Sequence, residues 1–129
     1  MEVDISCCIQ GKTFSPLSAE KVTSLPFSEK CEVGQLGEVG RFQGKPIPYG
    51  ACVLRFAEMS SLPYGPRLEQ MITSLEKHID LLKKCGAQDF VLRLVVSYEA
   101  QCNLEFSPAE MNRLANLGIH FTVSCYVSE

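Results

Sequence analysis

The chain has 129 residues, enough for one domain that hides about two thirds of its unfolded surface. Apolar residues make up 46% and charged residues 21%, ordinary globular usage that excludes wholesale disorder. Lys plus Arg number 12 against 15 Asp plus Glu, and the resulting net charge of −3 excludes the broad basic footprint of a general nucleic-acid binder.

The 7 cysteines are odd in number, form no C-x-x-C and follow no secretory leader, so the expected setting is the reducing cytoplasm with mostly buried thiols. Met1-Glu2-Val3-Asp4 lacks a basic n-region, and no apolar run approaches the ~20 residues of a membrane span. No membrane partner is expected.

Val3, Ile5, Cys7 and Ile9 alternate with Asp4, Ser6 and Cys8, the period of a half-buried strand. Pro16 at a first helical position, or Ser18 as a cap, opens a short helix running to about Ser24. Leu17, Val22 and Leu25 would be its apolar face, and Pro26 ends it. Residues 26–50 hold 5 of the 9 glycines and 3 of the 7 prolines, which predicts irregular structure with one or two short strands. Within them Gly34-x-x-Gly37-x-x-Gly40 lacks the residues that complete a phosphate loop and reads as turns. Ala51 to Ala57 alternates as a strand, with Cys52, Leu54 and Phe56 on one face and Ala51, Val53 and Arg55 on the other.

Pro66 is placed to open the main helix, Arg67 to Lys84. Leu68, Met71, Ile72, Leu75, Ile79 and Leu82 recur at helical steps, Lys83 and Lys84 suit the C-terminal dipole, and Gly86 suits the stop. His78 borders the apolar stripe as a core-rim residue. With neither His-x-x-x-His nor a Cys–His pair, no metal site and no cofactor is expected.

Phe90 to Tyr98 is apolar on both faces, as an interior strand must be. Glu99-Ala100-Gln101 would make a hairpin to a further strand, Cys102 to Phe106. Ser107-Pro108-Ala109-Glu110 combines a capping box with proline at N1, and Gly118 stops the helix. Met111, Leu114, Ala115 and Leu117 would be its buried side. In the last strand Ile119, Phe121, Val123, Cys125 and Val127 would face inward, and His120, Thr122, Ser124 and Tyr126 outward. Phe14-Ser15-Pro16 and Phe106-Ser107-Pro108 repeat one tripeptide, each after a strand and before a helix.

These elements predict a single α+β domain over residues 1–129. Its core would be an antiparallel or mixed sheet of five to six strands, with the long helix and one or two short helices packed on one face.

The stretch Asn103 to Val127, with its Ser-Pro cap, its Leu114-x-x-Leu117-Gly118 stop and its closing alternating strand, resembles the C-terminal signature of bacterial domain-of-unknown-function family four-two-seven-nine. The layout upstream is similar: an alternating first strand, a short helix, a variable middle and a long helix. Some members of that family look like immunity proteins encoded beside polymorphic toxins. The resemblance therefore implies a cytoplasmic, non-enzymatic protein that binds a cognate toxin and occludes its active site. It carries over no functional residue.

An acidic domain steers onto a basic toxin cleft, so the candidate contacts are the loop carboxylates Glu29, Glu32, Glu38, Glu58 and Glu99, with Tyr49 and Tyr64 as aromatic anchors. The expected state is a monomer or weak homo-oligomer. Two alternatives stand beside this reading. One is a small enzyme with a cysteine nucleophile, Cys8 or Cys125, activated by His120. The other is a small-molecule module with a pocket lined by Arg55, Arg93 and His120.

Overall fold

A computed structural model describes residues 1–56 and 62–128. The elements are β1 (Glu2–Gly11), α1 (Pro16–Thr23), β2 (Phe27–Cys31), a 3₁₀ turn (Gly40–Phe42), β3 (Gly50–Leu54), α2 (Tyr64–Lys84), β4 (Asp89–Tyr98), α3 (Pro108–Leu117) and β5 (His120–Val127). The fold is α+β, with a mixed five-stranded sheet in the order β2-β3-β1-β4-β5. β4 and β5 run parallel, and the other neighbours are antiparallel.

Period-two alternation places one row of side chains under the helices. Ile5 lies opposite Leu94, Cys7 between Leu92 and Leu54, and Ile9 between Phe90 and Cys52. All eight are buried and join Ala19 of α1, the α2 stripe and Leu114 of α3 in one cluster. The six stripe residues predicted for the long helix are all buried, and each contributes about 1.5–3 kcal/mol. The helix starts at Tyr64, ahead of the expected Arg67, because a proline in the first turn gives up no intrahelical bond. It ends where Gly86 (φ 100) adopts the left-handed conformation. There the Gly86 N–H donates to Lys83 O at 3.0 Å and the Ala87 N–H to Leu82 O at 3.1 Å, a complete Schellman stop.

Several expectations are corrected. Of the two openings expected for α1, Pro16 in the first turn holds, but the cap is Ser15 rather than Ser18, and it accepts from the Ser18 N–H. Leu17 and Val22 stand in solvent, while Pro16 and Ala19 are buried. The small alanine, one helical step from Pro16, lets this short helix lie close to its neighbours. The apolar Cys102–Phe106 run is not a strand. β5 arrives parallel through α3 and takes the edge of β4, so the run has no ladder to join. Met111 and Ala115 face solvent and Leu114 alone of α3 is fully buried. The inner row of β5 is only partly covered: Phe121 is half-buried, whereas Val123, Cys125 and Val127 are exposed. As an edge strand β5 lies beyond most of the helical layer. Of the thiols, Cys7 and Cys52 are buried, Cys125 is exposed and the other four are intermediate. Burial pushes both Cys7 and Cys52 up to about 12, which keeps them as protonated filler.

α3 is tied to α2 by the Arg113 guanidinium, which reaches Glu69 at 2.7 Å and Glu76 at 2.6 Å and donates to the Thr73 hydroxyl at 3.2 Å. Among the described residues no helix is long and apolar enough to cross a membrane.

Candidate functional site

β1 runs the length of the sheet, ~33 Å for ten residues, and its two ends carry different features. Gly11, Gly50 and Asp89 lie at one end, where residues 32–49 form an excursion between β2 and β3. Glu2 and Tyr98 lie near the other, beside the start of α2.

The excursion is irregular in outline but fixed in its backbone. Its limbs are bonded across by Gly34 N–H to Ile47 O (2.8 Å), Ile47 N–H to Gln35 O (2.8 Å) and Gly37 N–H to Lys45 O (3.0 Å). At the tip, Gln43 N–H donates to Gly40 O and Lys45 N–H to Phe42 O. Gly44 makes the return with φ 71, a conformation costly for residues with a Cβ. The Phe42 ring meets that of Tyr49 edge to face at 6.0 Å, and the Arg41 guanidinium lies 5.4 Å from the Phe42 centroid. Glu32 anchors one limb: its Oε1 accepts from the Ser15 hydroxyl at 2.6 Å, and its N–H donates to the Gln35 side chain.

This fixed backbone holds three aliphatic side chains in water. Val33 is 48% exposed, Leu36 61% and Val39 82%. Their usual place is a core. None was singled out from the sequence, although a signal was there. Val33-Gly34, Leu36-Gly37 and Val39-Gly40 place an apolar residue before each glycine of the triplet pattern. Next to the excursion, Tyr49 and Pro48 join Gln10, Lys12, Gln88 and Asp89 around a cavity of about 380 Å³.

The predicted contact residues do not form one patch. Glu29 (φ 49, at the irregularity of β2) and Glu38 are exposed near the excursion, and Tyr49 sits at its base. Glu32 is half-buried and occupied with Ser15. Tyr64 and Glu99 lie at the opposite end. The Tyr64 hydroxyl accepts from the Glu105 N–H at 2.9 Å, which makes it a clip for the 102–106 segment. Glu99 is exposed. Glu58 lies outside the described residues.

The pairings behind the two alternatives do not close up. Cys125 is on the inner row of β5 and His120 on the outer row, five residues apart. Cys8 opposes Val91, whose other neighbour is His120, so sulfur and imidazole are two strands apart, ~10 Å. Arg93 instead points a guanidinium nitrogen at the Cys8 sulfur at 3.7 Å, and Arg55 grips Asp4 with two bonds of 3.1 and 3.2 Å. A second cavity, about 620 Å³, lies between Glu2, Asp4, Tyr64, Arg67, Val95 and Ser97. Neither cavity includes Arg55, Arg93 or His120. Among the described residues no three His, Cys, Asp or Glu side chains are grouped to hold a metal.

Comparison with protein-family models, with curated proteins and with solved structures finds no match.

Proposed function

We propose that the protein is a non-enzymatic binding module that engages a partner protein through the 32–49 excursion. One observation carries this reading: Val33, Leu36 and Val39 are exposed on a loop whose backbone is already cross-bonded. Exposed aliphatic groups gain by being covered. A loop ordered beforehand spares most of the entropy that a floppy one loses on binding. Exposed Glu29 and Glu38 flank the apolar groups, but Arg41 and Lys45 lie in the same excursion. Attachment is therefore chiefly apolar, with charge setting orientation and approach.

The finer reading, an immunity-type protein that occludes the active site of a cognate bacterial toxin, rests on the resemblance of residues 103–127. It makes the product of the adjacent gene the first partner to try. Expressed alone in a bacterial host that product should be toxic, and co-expression of this protein should restore growth. A Val33→Ser, Leu36→Ser, Val39→Ser variant should fold and fail to rescue. Rescue undiminished by the triple change would remove the excursion from the interface. Absence of both toxicity and binding would remove the toxin reading.

A further inference from the structure

The Cys102 and Cys125 sulfurs lie 3.7 Å apart, although the residues are separated by 23 positions. Cys125 is exposed and Cys102 intermediate, so the pair is open to reagents that Cys7 and Cys52 never meet. The contact belongs to a longer alignment. Four residues beyond Cys102, Phe106 packs on Phe121, which lies four residues before Cys125. Two extended runs of opposite direction bring successive partners together in this way. The 102–106 segment is thus laid antiparallel over the inner row of β5. Its burial alternates, with Cys102, Leu104 and Phe106 half-buried and Gln101, Asn103 and Glu105 exposed. The two thiols meet in a register set by these neighbours.

We propose that Cys102 and Cys125 are a reversible modification site, a dithiol that becomes an intramolecular disulfide on exchange with a low-molecular-weight disulfide of the glutathione type. In the first step the exposed Cys125 thiolate attacks one sulfur of the small disulfide. A mixed disulfide forms and one small thiol leaves. In the second step the Cys102 thiolate attacks the Cys125 sulfur, the protein disulfide forms and the second small thiol leaves. The protein loses two hydrogens, the small disulfide gains them, and the reaction reverses with excess small thiol. Burial first, and then the hydrogen bond with Cys125, hold the Cys102 thiol above its ordinary value. This assigns the opening attack to Cys125 and resolution to Cys102. The product encloses α3 in a covalent loop and staples the 102–106 segment to the edge strand.

Trypsin separates the two sulfurs. Cleavage after Arg93 and Arg113 gives Leu94–Arg113, with Cys102 as its only cysteine, and Leu114–Glu129, with only Cys125. The full chain is incubated with oxidised glutathione near pH 8, blocked with N-ethylmaleimide and digested without reductant. The expected product is the two peptides joined, two hydrogens lighter than their sum, and released by reduced glutathione. Cys102→Ser should strand glutathione on Cys125, and Cys8→Ser should leave the joined peptides unchanged. Both side chains reach the surface, so matching circular dichroism should verify that the variants fold. A wild-type protein that stops at glutathionylated Cys125, or that joins the peptides only between molecules, would overturn the proposal.

Discussion

Phe106 and Phe121 meet edge to face, with ring centroids 5.3 Å apart and planes at 86°. No backbone ladder joins the 102–106 segment to the sheet, so the rings, the neighbouring thiols and the Tyr64 hydroxyl hold it there. Phe106→Leu and Phe121→Leu should therefore not be independent. A double-mutant cycle from urea unfolding is expected to return a coupling of about 0.5–1.5 kcal/mol. Additive losses would mean that the segment is held elsewhere.

The capping box of α3 is fully formed. The Ser107 hydroxyl accepts from the Glu110 N–H at 3.1 Å, and the Glu110 carboxylate accepts from the Ser107 N–H at 3.0 Å. Ser107→Ala should cost about 1 kcal/mol in chemical unfolding, with Ser107→Gly costing only a few tenths relative to serine.

His78 supplies a pH dependence. Burial first, and then the nearby Lys77 charge, lower its pKa from the ordinary 6.5, and its buried Nδ1 has no hydrogen-bond partner among the described residues. The unfolded chain then takes up a proton at a higher pH than the folded one. Its contribution is present above pH 6.5 and is lost as pH falls through the depressed folded value. Unfolding midpoints should fall between pH 7.5 and 5.5 in the wild type and fall less in His78→Gln. Glu76, held below its ordinary 4.5 mainly by its hydrogen bond with Arg113, adds a separate loss at lower pH. Its contribution is present above 4.5 and is lost as pH falls through the depressed value.

The fold was legible wherever one physical rule acted alone. The α2 stripe, the Ser107 cap and the Gly86 and Gly118 stops depend on local spacing and dihedral angles, and all appear where the sequence put them. Cys102 to Phe106 shows the limit. Its side chains alternate in burial, yet alternation cannot tell a hydrogen-bonded strand from an extended segment lying across one. That depended on which strand reached the β4 edge, a long-range competition. Leu17 and Met111 were misread for a related reason: a helix face becomes buried only where a neighbour covers it. The candidate site was partly legible. The irregular course of the glycine-rich middle could be read from composition. The cross-bonds that turn Val33, Leu36 and Val39 into a fixed apolar display are tertiary, and of the expected contact residues among those described Glu29, Glu32, Glu38 and Tyr49 fall in or beside it, with Glu32 taken up by Ser15.

The most direct test is a binding titration of the adjacent gene product against Leu36→Asp, beside Val22→Asp as a control. Val22 is exposed in the last turn of α1, at the opposite end of that helix from the Ser15 cap that Glu32 contacts. If the excursion is the contact surface, Leu36→Asp weakens binding by roughly tenfold or more, while Val22→Asp binds as the wild type does and both retain the wild-type unfolding midpoint. Wild-type affinity in Leu36→Asp, or an equal loss in both variants, would contradict it.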